Sequence, residues 1–431
     1  MVRKIPRKPV TAPSRPAPSE YLSAPEAARL LGVKVPSLYS YVSRGVIRSV
    51  MQPGTRARLY YREDVEGAGK RMGGRAGIPE TVETAVRWGQ PMLASAITEL
   101  TDEGPRYRGR AAVDLARAAR RFESVAELLW SGIDLPSLAH WEQAEPPAEV
   151  WKRIEAAAGG SKGFTSGRLM VLANVMLALS MPDRPDFERG STVTDARQLI
   201  ALYASSMGLL GPLRRPVRPW GERSIATLLR DALIGPKASE RAVDAIDAAL
   251  IVCADHELSP STLAARVAAS AGADLRACLH AAIVTQSGTR LGGGCDRVEA
   301  LLVGARTAAD LKASIAGLEQ AGQRVPGFNL VAYPKGDPRA RFLLELSATV
   351  APAGSPFRRL DGLLAEAREA FDLQPSIEVG LIGLALALGL PPRGASALWT
   401  IGRCAGWTAH VIEQRLAGFM LRPRAKYAPL A

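Results

Sequence analysis

Residues 254–270 read A-D-H-E-L-S-P-S-T-L-A-A-R-V-A-A-S, and residues 287–302 read S-G-T-R-L-G-G-G-C-D-R-V-E-A-L-L, with an alanine-rich run between them. Small side chains let two helix backbones approach, so the alanine run predicts a closely packed helix pair. Gly292, Gly293 and Gly294 predict a bend where side chains would obstruct a ligand. Asp255, His256 and Glu257 stand at the polar edge of that pair. Taken alone, such a cluster is more often a satisfied helix end than a site.

The surrounding chain has 431 residues and 47% hydrophobic content, enough for two or three soluble domains. From about residue 83 onward the periodicity is helical, with Leu115, Ala118 and Ala119, or Leu199, Ile200 and Tyr203, at helix spacing. Proline breaks fall at 182–185, 212–219 and 391–392. The longest strongly apolar runs, such as Val379 to Leu390, are too short to span a bilayer. The start, M-V-R-K-I-P-R-K-P-V, is basic and proline-broken, so no secretory signal and a cytoplasmic location are expected. Cys253, Cys278, Cys295 and Cys404 are far apart and lack metal spacing, which predicts buried free thiols and no metal site.

Charge is uneven. Residues 1–77 hold 15 Lys/Arg and 5 Asp/Glu, a net +10, while the remainder holds 40 and 37, a net +3. The basic excess predicts a polyanion partner for the first segment alone. Residues 1–19 are rich in Pro, Arg, Lys and Ser and read as a disordered basic arm. Residues 20–72 read as a compact unit. Ser23 and Glu26 make a capping box for a helix with Ala27, Ala28, Leu30 and Leu31 inside, and Gly32 ends it. Pro36 opens a second helix with Leu38, Tyr41 and Val42 inside and Ser37, Tyr39, Ser40 and Arg44 outside. A hairpin is expected around Pro53-Gly54, with Arg56, Arg58, Tyr60 and Tyr61 on its return arm. Glycines over residues 67–77 mark an exit and a linker, placed at 73–82.

This helix-turn-helix with a wing resembles the MerR-like DNA-binding domains. The resemblance implies double-stranded DNA as partner, the second helix in the major groove, and Arg48, Arg56 and Arg58 on phosphates. A protein-binding module, or a remnant that stabilises the rest of the chain, is the alternative reading.

The order of motifs farther along resembles the citrate synthase family, over roughly residues 83–431. D-H-E-L-S-P-S-T and the glycine bend match its D-H-E-L-N-x-S-T and G-P-L-H-G-G-A-N patterns. V-P-G-F-N-L-V-A-Y-P-K-G-D-P-R-A (325–340), P-S-I-E-V-G-L (375–381), R-C-A-G-W-T-A-H-V-I-E-Q (403–414) and L-R-P-R-A-K-Y (421–427) follow in the family's order. Glu103 to Gly132 resembles its opening motif. The implied fold is mainly α, with helical large and small domains (the small one approximately 290–375) behind the winged helix-turn-helix, and the implied assembly is a homodimer.

In the family an Asp takes a proton from the acyl-CoA methyl group, one His stabilises the enol, and another polarises the oxaloacetate carbonyl. Those two His positions fall on Leu291 and Leu330 here, and apolar side chains cannot donate a hydrogen bond. The Asp falls on Glu378, a candidate base. Each lost donor costs about 2.7–4 kcal/mol in the transition state. The oxaloacetate-binding His matches His256, and the carboxylate-binding arginines match Arg339, Arg403 and Arg422, the last reaching across from the partner subunit in the family. Three guanidinium groups and an imidazole suit a di- or tricarboxylate. Val331 stands where the family's CoA-binding version has Arg, although Lys335 remains nearby. No tightly bound cofactor is implied; acetyl-CoA or another acyl-CoA would be a substrate.

Three functions follow. The favoured one is a carboxylate-binding regulator of transcription with weak or no condensing activity. The alternative is an active citrate synthase or related acyl-CoA/2-oxoacid condensing enzyme, with His256 and Glu378 in the chemistry. The third is a structural partner that forms mixed dimers with an active synthase and lends it Arg422.

Overall fold

The computed structural model describes residues 21–43, 47–51, 57–73, 93–142, 145–158, 163–180, 184–218, 221–288 and 293–422. The arm expected at 1–19, residues 74–82 of the linker, the Pro53-Gly54 apex, Arg44, Arg56, Gly292 and Leu291 lie outside them, as does the side chain of Ser40. The chain forms two compact units: residues 1–84 with 315–325, and residues 85–314 with 326–431.

In the first unit, β1 (Tyr21–Ser23) leads into α1 (Ala24–Leu31), α2 (Val35–Ser43), β2 (Ser49–Met51), β3 (Arg58–Tyr61) and α3 (Arg62–Gly73). Glu26 accepts from both the backbone N–H and the hydroxyl of Ser23, at 2.8 and 2.7 Å, and fixes the start of α1. Gly32 stops it with φ +66°, a conformation that penalises any Cβ. β3 is the middle strand, antiparallel to both β1 and β2, with Leu22 and Ser49 opposite Tyr60. Leu22, Ala27, Ala28, Leu31, Leu38, Ile47, Tyr60, Val65 and Ala68 form its core. Leu30, expected inside, is 46% exposed, because Ala27, Ala28 and Leu31 already fill the narrow buried stripe of α1.

The second unit opens with an antiparallel meander, β4 (Thr98–Thr101), β5 (Gly104–Tyr107) and β6 (Arg110–Ala111). Helices follow: α4 (Ala112–Arg117), α5 (Phe122–Ser131), α6 (Ala148–Ala158), α7 (Ser166–Ala178), α8 (Asp186–Arg189), α9 (Thr192–Ser206), α10 (Ile225–Leu233) and α11 (Glu240–Cys253). Then come α12 (Pro260–Ser270), α13 (Leu275–Gln286), α14 (Gly293–Gly304), α15 (Ala308–Gln320, counted with the first unit from residue 315 on), α16 (Pro338–Val350), α17 (Pro356–Phe371), α18 (Ile377–Leu388) and α19 (Gly394–Ala417). Leu199, Ile200 and Tyr203 are buried on α9 as their spacing predicts. Ala118 and Ala119 are not helical: α4 ends at Arg117, and Ala119 turns the chain with φ +51°.

The alanine-rich pair α12 and α13 packs closely, and α19 crosses both α11 and α12. Two glycines one turn apart on α19 permit the crossing. A Cβ on Gly402 would stand 2.9 Å from the Leu250 carbonyl, and one on Gly406 would overlap the Asp255 carboxylate. All four cysteines are buried and free. No helix among the described residues is long and apolar enough to cross a membrane, and no group of side chains there could hold a metal ion.

Candidate functional site

The close approach of α19 to the end of α11 brings Arg403 and His410, two helical turns apart on one face, onto Asp255. Arg403 Nη1 lies 3.1 Å from Asp255 Oδ1, and His410 Nε2 lies 3.3 Å from Oδ2. Arg403 Nη2 donates to Thr262 Oγ1 at 2.7 Å and Ser259 Oγ at 3.3 Å, both at the start of α12. Tyr107 Oη, on β5, donates to the Ile251 carbonyl at 3.0 Å and accepts from Asp255 N–H at 3.2 Å. Burial alone would raise the Asp255 carboxyl, but His410 and Arg403 outweigh it and hold it well below the ordinary carboxylate range. Asp255 is therefore a fixed anion that orients an arginine and an imidazole.

The second side of the site comes from the 325–340 segment. The Asp337 side chain caps α16 and grips Arg339 with both oxygens, Nε to Oδ1 at 3.0 Å and Nη2 to Oδ2 at 2.7 Å. Arg339 stacks over Tyr333 at 5.5 Å, and Tyr333 Oη lies 3.1 Å from His256 Nε2. Burial, then the nearby Arg339 and Arg403 charges, depress the His256 pKa well below its ordinary value. The ring is consequently neutral at physiological pH, able to donate or accept one hydrogen bond. Burial pushes Tyr333 up to about 12, so it keeps its proton.

The segments that carry Leu330 and Glu378 are joined by antiparallel backbone pairing, with Phe328 opposite Pro375. Asn329 N–H donates to the Gln374 carbonyl at 2.8 Å, its side-chain Oδ1 accepts from Gln374 N–H at 2.8 Å, and Ser376 N–H reaches the Gly327 carbonyl at 2.9 Å. Asn329 adopts φ +54° in this turn, a region that Asn tolerates better than most residues. Gly327 is required: at φ +85° its added Cβ would lie 2.7 Å from Val298. Leu330 is half-buried in the turn that Tyr333 N–H closes. Glu378, in the first turn of α18, is half-buried and accepts a short hydrogen bond from the Ser376 hydroxyl. Burial raises its carboxyl above the ordinary range against that bond, and Arg339 is among the charges acting on it.

Thus His256, Arg339, Arg403 and Glu378 share one electrostatic neighbourhood. Arg422 does not join them from its own chain. Leu421 N–H is tied to Ser270 Oγ at the end of α12 opposite Ser259, about 16 Å away along the helix, and Arg422 is exposed. The sequence reading missed Tyr333, Asp337 and His410 as supports. The seven-residue spacing of Arg403 and His410 is the signal that could have found the last. Burial pushes the Cys253 and Cys278 thiols up to about 12, and Cys295 and Cys404 well above their ordinary value, which leaves all four unreactive.

In the first unit, Ser37 and Tyr39 are exposed on α2, and half-buried Arg58 donates to Ser49 Oγ at 2.8 Å. Arg48, expected on a phosphate, is engaged within the unit. Its guanidinium is paired with Asp64 through Nε at 2.8 Å and Nη2 at 3.0 Å, and its carbon lies 4.3 Å from the Tyr61 ring centroid. With side-chain exposures of 9% and 5%, the Arg48–Asp64 pair is an internal brace.

Comparison with known proteins identifies the family and the fold that carry this cluster. Residues 86–424 match the family described as "Citrate synthase, C-terminal domain", and residues 21–67 match "Helix-turn-helix domain". The chain belongs to the citrate synthase family and carries a helix-turn-helix domain ahead of that region. It is 26% identical over 368 residues to citrate synthase 2 of Bacillus subtilis, covering 80% of this chain and 96% of that protein. It is 29% identical over 332 residues to the putative citrate synthase 2 of Mycobacterium tuberculosis, covering 75% and 86%. Among solved structures, a citrate synthase of Thermoplasma acidophilum in ternary complex with carboxymethyl coenzyme A and oxaloacetate superposes with TM-score 0.68 at 20% identity, covering 79% of this chain and 94% of that one. The Thermotoga maritima citrate synthase gives TM-score 0.65 at 21% identity, with 80% and 95% covered. At these identities the structures establish the fold.

Proposed function

We propose that this protein binds a small di- or tricarboxylate of the oxaloacetate or citrate type and uses its helix-turn-helix domain to bind double-stranded DNA, with weak or no condensing activity. The observation that carries this reading is the contrast between the His256–Arg339–Arg403 cluster and Leu330. The two guanidinium groups are buried, each already paired with a carboxylate, Asp337 or Asp255, so a ligand would have to share them, while Leu330 stands where the family's chemistry needs a donor. A homodimer completes the grip by bringing Arg422 from the partner. Support comes from the exposed Val175, Leu179, Val267 and Val284 on or beside α7, α12 and α13, apolar side chains that a second subunit would cover. Exposed Ser37 and Tyr39, with Ser40, Arg44, Arg56 and Arg58, form the proposed DNA face, and the cytoplasm is the proposed site of action.

The second reading, an acyl-CoA condensing enzyme, draws on one observation. Glu378 retains a carboxylate whose raised pKa suits a general base. Calorimetry with oxaloacetate and citrate, together with thiol release from acetyl-CoA plus oxaloacetate, separates the two. The regulator reading expects saturable binding that Arg339→Ala abolishes and thiol release at background. Turnover that Glu378→Gln removes establishes the enzyme, and silence in both assays removes the carboxylate site.

A further inference from the structure

A cavity of about 400 Å³ opens at the far end of α11 from Asp255. Arg241 stands about 21 Å along α11 from Asp255, while the cavity's nearest wall, Phe342 on α16, stands one helical turn from Arg339. One wall is the turn between α4 and α5, with Arg117, Arg120 and Arg121. A second is the start of α11, with Arg241, Asp244 and Asp247. The third is an apolar stripe on α16, Phe342, Leu346 and Val350, at helical spacing over about 12 Å.

The charges here are unequal in kind. Arg117 reaches Glu345 at 3.4 Å, Arg120 is paired with Asp134, and Arg121 holds both Asp244 at 3.0 Å and Asp247 at 2.7 Å. Arg241 is exposed and has no hydrogen-bond or ion-pair partner among the described residues. One uncompensated guanidinium at the mouth of an apolar cleft of ligand size defines the occupant. A neutral molecule would leave Arg241 unused, and a polyanion would meet Asp244 and Asp247. A single carboxylate with an aliphatic body satisfies both the cation and the stripe, whose length suits a medium chain.

We infer that this cleft is a binding site for a medium-chain monocarboxylate, separate from the Arg339–Arg403 site and independent of whether that site binds a dicarboxylate. The head group pairs with Arg241, and the chain lies on Phe342, Leu346 and Val350.

Calorimetry on the full chain with butyrate, hexanoate and octanoate tests it. One saturable site per chain is expected, tightening by about tenfold for each two carbons added. Arg241→Ala, at an exposed and unpartnered position, should weaken octanoate at least tenfold. Thr349→Trp, which plugs the mouth from an exposed position, should block it. Octanol should bind at least tenfold more weakly than octanoate, and saturating oxaloacetate should not displace octanoate. The inference fails if octanoate gives no saturable heat, if affinity ignores chain length or charge, if both variants bind like the native chain, or if oxaloacetate competes.

Discussion

Asp255 has no exposed surface, yet it accepts from an arginine and a histidine at once. Neutralising it leaves Arg403 as a buried cation without its counter-charge, a change that typically costs about 3–5 kcal/mol. Asp255→Asn preserves the shape, so its lowered urea midpoint would report the lost charge; an unchanged midpoint would show that Thr262 and Ser259 suffice to hold Arg403. Glu123, also without exposed surface, titrates the other way. Burial, then the nearby Asp247, hold its carboxyl well above the ordinary range, although Ile225 N–H donates to it at 2.6 Å. The native state therefore keeps a proton that the unfolded chain releases above about pH 4.3. Stability falls as pH rises from there and levels off once the native carboxyl ionises. Glu123→Gln keeps the acceptor and cannot ionise. Its melting temperature should exceed that of the native chain by a margin that widens from pH 5 toward pH 8; a constant margin would refute the raised pKa.

Elements show which residues are braces and which are free to act. Arg48 and Asp64 lock the connection before β2 to α3, so Arg48→Ala should cost the first unit about 3 kcal/mol, read as an earlier transition in its melt. Arg58→Ala should leave the melt nearly unchanged and reduce the salt slope of DNA binding by about one. The reverse pattern would return Arg48 to the DNA face. Local signals made α1 and α2 legible, because Ser23, Glu26, Gly32 and Pro36 act within a turn of their own position. Ordered motifs likewise pointed to His256, Arg339, Arg403 and Glu378, which remain the proposed site residues. What stayed hidden depends on tertiary contact. Asp64 is 16 residues from Arg48, Tyr333 is 77 from His256, and His410 is 155 from Asp255. Leu30 and Ala118–Ala119 have helical spacing, but periodicity cannot say how wide the buried stripe is or where a six-residue helix stops.

At the scale of the whole molecule, the proposed dimer makes one substitution act twice. Val284 is 49% exposed on α13, so Val284→Asp should leave each subunit folded while placing a charge in the proposed interface. Sedimentation should then show a monomer. Loss of the partner's Arg422 should weaken oxaloacetate binding, and loss of the second helix-turn-helix should weaken binding to a two-half-site DNA by about a hundredfold or more, since linked sites gain that much from effective concentration. Binding to a single half-site should be unchanged, which separates lost avidity from a damaged DNA face. If the variant sediments as a dimer, the α13 face is not the interface. If it is monomeric yet binds oxaloacetate as the native chain does, Arg422 of the partner has no part in the grip.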